Sequence, residues 1–341
     1  MALDPQVSHR NLLKNRKPIM RRKPDEDFYA WQEKARAKMG EMLGYPFEKA
    51  ENDGFRIEWV NTDDPRFDET RFLFESEEDV TVNCHLLMPK GATGKLPLII
   101  GLQGHTTGAH ISMGRKVHEI DDEFMNNDHD IAIQIVERGY AALTLDQRGF
   151  GERGGLPNCS NCAHLTLQAM MLGRSIVGER CFDVSCAIDI IEKYFPQIDA
   201  DKIALTGHSG GGVTTFHAAV MEPRIKASMP SGVFTGLFDC YGSSLHCSCS
   251  YVPGERKHFD MGDIAAMAAP RPQVIVNGEK DTGFPIHGTP AQWEVTKAGY
   301  EAAGAAENVQ LIIGPEGHRF YADLAWPVFE EMLAKLGWKE K

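Results

Sequence analysis

A serine stands between glycines at Gly207-His208-Ser209-Gly210-Gly211, in the spacing G-x-S-x-G. The motif follows the apolar run 203–207 (IALTG) directly and opens a helical pattern over 210–220. A sharp strand-to-helix turn exposes the serine oxygen, and the flanking glycines remove side chains that would clash there. The helix start then offers unpaired N–H groups and the positive end of the helix dipole to a developing oxyanion. A serine hydroxyl becomes a useful nucleophile only when a neighbouring base takes its proton. His318, in Gly314-Pro315-Glu316-Gly317-His318-Arg319-Phe320 after the apolar run VQLII, is placed for that role. His208 is too close to the turn to reach back over it, and His217 falls in the helix behind the serine. An acid must orient the imidazole and stabilise its cation. Asp281 follows the run QVIVNG and is the expected acid, with Glu279 and Asp239 as rivals.

The oxyanion needs two donors. The backbone N–H of Gly210 is the expected first. The second is expected from the loop Gln103-Gly104-His105-Thr106-Thr107-Gly108, with His105 as donor and Gln103 beside it. Gln103 and His208 are expected to touch the substrate. The chemistry implied is acyl transfer in two steps, through an ester formed on Ser209.

These residues need a scaffold that holds them together. Short apolar runs alternate with helical patterns from residue 80 onward. Strands are expected at 80–87, 96–102, 140–146, 203–207, 227–230, 273–278 and 309–313. Helices are expected at 131–138, 174–194 and 210–220, and around Val328, Phe329, Met332, Leu333 and Leu336. Such alternation predicts a mostly parallel sheet covered on both faces. Ligands bind such sheets beyond the carboxyl ends of the strands, where the three candidate residues fall. Residues 1–50 are expected to form a helical appendage, with Phe28, Trp31, Ala35 and Met39 at near-helical spacing, and 51–341 the catalytic domain. Three long connections, 106–130, 149–173 and 231–261, leave strand ends and are expected to wall or cover the pocket.

The formal charge of −12 over 341 residues argues against a nucleic-acid partner. The basic run from Arg10 to Lys23 reads as a solvated segment. No run of about 18 apolar residues is present, so no membrane partner is expected. With no secretory h-region, the expected location is cytoplasmic. Thiols should then be reduced, and Cys84, Cys181 and Cys186 should pack as small hydrophobes. No metal and no cofactor are expected. A structural zinc held by Cys159, Cys162, Cys247 and Cys249 is the alternative, with His246 as a substitute ligand. Asp146 and Arg148 are expected to brace loops rather than to react.

Several motifs together carry a resemblance. They are Asp146-Gln147-Arg148-Gly149-Phe150-Gly151-Glu152-Arg153 after one strand, Gly207-His208-Ser209-Gly210-Gly211-Gly212 at the turn, Ala269-Pro270-Arg271-Pro272 before a strand, Gly278-Glu279-Lys280-Asp281 after it, and Gly317-His318 near the end. The chain resembles the acetyl xylan esterase and dienelactone-hydrolase-like branch of the α/β-hydrolases over about residues 70–340. The order Ser209, Asp281, His318 is the order of that superfamily. The resemblance implies the α/β-hydrolase fold and a carboxylic-ester hydrolase, acting on a small-molecule ester such as an acetylated sugar. Dienelactone hydrolases use a cysteine nucleophile where this chain has Ser209, which argues against a lactonase. Two other readings stay open: a peptidase or amidase using the same triad, and a non-catalytic binding protein of the same fold. The three filled positions favour an enzyme. Homo-oligomerisation is left open.

Overall fold

The computed structural model describes residues 3–154 and 161–338. Among them one nine-stranded sheet is built from β1 (Arg56–Asn61), β2 (Phe67–Glu77), β3 (Val80–Pro89), β4 (Leu96–Leu102), β5 (Ala141–Leu145), β6 (Ile198–His208), β7 (Ile225–Ser231), β8 (Gln273–Gly278) and β9 (Val309–Gly314). The spatial order is β1-β2-β3-β5-β4-β6-β7-β8-β9. β1, β2, β3 and β5 pair antiparallel in succession, and from β5 to β9 every pairing is parallel. β5 and β8 are buried at every position, which is why AALTL and QVIVNG read as unbroken apolar or neutral runs. The seven expected strands are present. β1 and β2 form an additional antiparallel margin.

Helices cover both faces. On one, Ile176–Tyr194 and Gly210–Met221 bury Val177, Phe182, Ile188, Val213 and Phe216 against Leu98, Ile100, Leu143 and Leu205. On the other, Ile131–Glu137 and Ala322–Lys335 bury Ile131, Ile135, Trp326 and Phe329 against Ile99, Ala142 and Val276. The opposed side chains come from alternate positions of each strand, as the pleat requires.

The helix Phe28–Leu43 joins the first of these cores through Phe28, Trp31, Ala35, Met39 and Leu43. Asp27 caps it by accepting the Ala30 N–H at 2.9 Å. Its end lies so close to the helix Ile176–Tyr194 that a Cβ on Gly178 would sit 2.1 Å from the Leu43 carbonyl oxygen, so only glycine fits there. The segment before it is tied down by Arg21, whose guanidinium gives two 3.0 Å bonds to the buried Asp263. No helix among the described residues is long and apolar enough to cross a membrane. The three long connections leave β4, β5 and β7 at their carboxyl ends, and among the described residues they meet where His105 approaches Cys162 and Cys249.

Candidate active site

Ser209 sits between β6 and the helix Gly210–Met221 with φ 55° and ψ −119°. A non-glycine residue at positive φ costs of order 1–3 kcal/mol and persists only where its surroundings over-determine it. Here the Ser209 N–H is held by the Ser231 carbonyl at the end of β7 (2.9 Å), and its own carbonyl accepts the Val213 N–H (2.9 Å). Glycines make the turn sterically feasible. A Cβ on Gly207 would lie 2.6 Å from the Gly211 backbone, and one on Gly211 would lie 2.3 Å from the Leu102 carbonyl oxygen. Gly104 brings the loop after β4 onto the turn, since its Cβ would lie 2.8 Å from the Ser209 Cβ. Ser209 remains partly open to solvent, and its hydroxyl has no hydrogen-bond partner among the described residues. Catalytic hydrogen bonds are commonly loose before substrate arrives.

Asp281 follows β8 and His318 follows β9, so neighbouring strand ends deliver them together. His318 Nδ1 is 2.6 Å from Asp281 Oδ2. Asp281 Oδ1 accepts the backbone N–H groups of Gly283 (2.9 Å) and Phe284 (3.0 Å). Burial favours the neutral acid. The bond and charge of His318 and the N–H groups of Phe284 and Gly283 outweigh it and hold the Asp281 carboxyl below the usual range. The carboxylate is therefore charged at neutral pH and fixes the imidazole by one ring nitrogen. The rivals lie elsewhere: Asp239 is 3.6 Å from His287, and Glu279 is exposed.

The His318 ring rests on His208 with centroids 4.4 Å apart and stacks on Phe284 at 5.7 Å and 16°. His208 in turn meets His129 at 4.6 Å. Burial pushes the His129 imidazole down to about 3, with His318 adding to the effect, and drives His208 well down for the same reasons. Both rings are neutral, so they form an uncharged floor beneath His318.

Two expectations are corrected here. His208 is fully buried and pairs with the Ser231 hydroxyl through Nδ1 at 2.9 Å, so it cannot touch a substrate. Gln103 is 1% exposed; its side-chain amide donates to Asp146 Oδ1 at 3.0 Å and its backbone carbonyl accepts from Gln147 at 2.6 Å. It braces the loop from behind. Asp146 also accepts from Asn83, and from the N–H groups of Ala109 and Glu152, at 2.8, 2.7 and 3.1 Å. It thus links the loops after β4 and β5. Arg148 does not pair with it. Arg148 instead grips Asp183 with two bonds of 3.0 and 2.8 Å and approaches Glu179 and Glu77 at 3.3 and 3.5 Å.

Gly210 opens the helix, where its N–H has no intrahelical acceptor. The His105 ring lies directly beside it: a Cβ on Gly210 would be 3.0 Å from His105 Nδ1. The other ring nitrogen of His105 points away, to the sulfurs of Cys249 (3.2 Å) and Cys162 (3.8 Å). The cysteine grouping also departs from expectation. Cys159 lies outside the described residues, and His246 packs instead against Tyr241 and Phe284. Among the described residues His105 lies with Cys162, Cys247 and Cys249. Phe284 and His129 are further neighbours of the site that no local sequence signal marks.

The sheet, the strained strand-to-helix turn and the Asp–His pair at adjoining strand ends define an α/β-hydrolase. The chain belongs to the Abhydrolase family, whose model matches residues 6–234. This bears out the superfamily placement read from the motifs. It is 24% identical over 238 residues to YtaP of Bacillus subtilis (strain 168), a protein named as a hydrolase by assignment, covering 69% of this chain and 77% of that one. Among solved structures it resembles a Bacteroides fragilis NCTC 9343 protein assigned as an acetyl xylan esterase, with TM-score 0.78 and 17% identity over 97% of this chain and 96% of that one. It also resembles a glucuronoyl esterase from Solibacter usitatus, with TM-score 0.65 and 16% identity over 92% and 94% of the two chains. At these identities the structural likeness speaks for the fold.

Proposed function

We propose that this protein is a serine carboxylic-ester hydrolase in which Ser209 is the nucleophile, His318 the base and Asp281 the acid. The observation that carries the reading is the 2.6 Å His318–Asp281 bond set beside a serine held at φ 55°. With Nδ1 committed to Asp281, Nε2 is the nitrogen left to take the Ser209 proton. Ser209 Oγ attacks the ester carbonyl, and the oxyanion is received by the Gly210 N–H and a backbone N–H of the loop at His105. His318 then gives its proton to the leaving alcohol. Water, deprotonated by the same imidazole, attacks the acyl-enzyme and releases the acid with Ser209 restored.

The substrate class is proposed as a small acyl ester, acetyl in the first instance, on a sugar. The support is the name borne by the Bacteroides fragilis neighbour, and fold alone does not fix substrate. The glucuronoyl esterase neighbour marks esters of a sugar acid as the competing substrate. The test is turnover of p-nitrophenyl esters from acetate to longer chains by the protein and by Ser209→Ala, followed by acetylated xylo-oligosaccharides and a methyl glucuronate ester. The expected result is serine-dependent turnover that is fastest on acetate and extends to the acetylated sugar. Faster turnover of the methyl glucuronate would replace the acetyl assignment. Preferential cleavage of p-nitroanilides would replace the ester assignment with an amidase.

A further inference from the structure

We infer that His105, Cys162, Cys247 and Cys249 form a structural zinc site that clamps three loops together behind the Ser209 turn. His105 comes from the loop after β4. Cys162 opens the helix Cys162–Met171 in the connection after β5. Cys247 precedes, and Cys249 lies within, the single turn Ser248–Ser250 in the connection after β7. Four residues drawn from three connections, spanning 144 positions between His105 and Cys249, place one ligand atom each within 4.8 Å of all the others.

Three of the six separations lie close to those of a tetrahedral ion, and all six fall within 4.8 Å. With Zn–S near 2.3 Å and Zn–N near 2.0 Å, sulfurs sit about 3.8 Å apart and nitrogen about 3.5 Å from sulfur. Here Cys247 and Cys249 are 3.4 Å apart, and His105 Nε2 is 3.2 Å from Cys249 and 3.8 Å from Cys162. Two of the sulfurs are buried, Cys249 at 1% and Cys162 at 4% exposure. Three thiols crowded around one imidazole satisfy one another poorly, because sulfur is a weak donor and a weak acceptor.

The surroundings supply what a zinc–thiolate centre needs. Three thiolates and a divalent ion leave one negative charge. Arg180, 2% exposed, places Nη1 3.4 Å from the Cys249 sulfur and Nη2 3.9 Å from that of Cys162. It is held by the Arg148 carbonyl at 2.7 and 3.1 Å and by the Phe150 ring, over which its guanidinium lies at 4.1 Å. A buried cation aimed at two of three sulfurs has a plain role as the counter-charge of such a centre, and outer partners of this kind fix ligand orientation. Four protein ligands leave no open position, so the ion is structural and takes no part in the chemistry.

One consequence rests on the proposed esterase. Because the His105 ring abuts Gly210, binding its far nitrogen to metal would fix the loop that supplies the second oxyanion donor. The site itself is tested without substrate. The zinc content of the reduced, folded chain is measured by elemental analysis and by native against denaturing mass spectrometry. One zinc per chain is expected, lost on denaturation. Replacement by cobalt(II) should give the intense thiolate-to-metal bands of a tetrahedral site. The Cys247→Ser, Cys249→Ser double variant should lose the metal, and Cys186→Ala, outside the cluster, should keep it. Arg180→Met should weaken retention against a chelator by about 10–100-fold. A folded wild-type chain that carries no zinc, takes up neither zinc nor cobalt(II) after reduction, and has these thiols open to alkylation would overturn the inference. So would a Cys247–Cys249 disulfide that persists in the active protein. Neither result depends on esterase turnover, so the zinc site and the esterase reading can fail separately.

Discussion

Asp281→Asn is expected to lower kcat for ester hydrolysis by about 10⁴-fold with little change in stability. The reason lies in which hydrogen bonds survive. An asparagine carbonyl at Oδ1 still accepts the N–H groups of Gly283 and Phe284, so the turn after β8 keeps its shape. The other terminus becomes an NH₂ group facing His318 Nδ1 at the position of the present 2.6 Å bond. Nδ1 must then accept, which moves the ring proton to Nε2, and the base can no longer take a proton from Ser209. The substitution also removes the negative charge that would stabilise the imidazolium. Steady-state kinetics on p-nitrophenyl acetate, with thermal melts as a control, check this. Asp239→Asn should change kcat by less than about threefold, because Asp239 faces His287 rather than His318. A wild-type rate in Asp281→Asn, or a larger loss in Asp239→Asn, would move the acid elsewhere.

The second large effect concerns stability. Arg148→Ala is expected to destabilise the fold by about 3–5 kcal/mol, the usual cost of stripping one partner from a buried ion pair. Arg148 and Asp183 are 8% and 1% exposed in their side chains, and Arg153 reaches the same carboxylate at 2.8 Å. Glu179 and Glu77 complete the group with Arg174. The charges balance with all six present. Burial already pushes Glu179 up despite Arg148, so it is the carboxylate with least reserve when that arginine goes. Asp183 is held below the usual carboxylate range against its burial, by Arg148 first and then Arg153. The Arg148 carbonyl also receives Arg180, so the backbone here links the network to the sulfur cluster. Urea unfolding measures the loss. Arg148→Lys should recover only part of it, since a point charge cannot reproduce the two-bond grip on Asp183. A loss below about 1 kcal/mol would show that the network is a bystander.

The parts of the fold that could be read from sequence are those with a local signal. IALTG, LPLIIGL and QVIVNG announce strands because burial on both faces removes polar residues from them. β1 carries no such signal, since RIEWVN is exposed or half-buried throughout at the sheet edge. β2 is obscured by buried charge: Glu69 is paired with Arg115 and His85, and Glu77 with Arg174, so acids interrupt its apolar residues. The same division holds at the site. Ser209, Asp281 and His318 stand out because each follows a legible strand. Asp281 is preferred to Asp239 by its place after QVIVNG, while the contact that separates the two spans 37 residues. Gln103 and His208 carry no local sign of their burial, because their partners, Asp146 and Ser231, lie 43 and 23 residues away and turn them inward. His105 gives no local hint of the cysteines it meets.

The most direct test of the central claim is covalent labelling. The protein is incubated with a fluorophosphonate, digested, and the modified peptide located by mass spectrometry, with esterase activity followed in parallel. One adduct is expected, on Ser209, forming in step with loss of activity and absent from Ser209→Ala, which is itself inactive but folded. An esterase that stays fully active without an adduct, or is inactivated by an adduct at another serine, would contradict it.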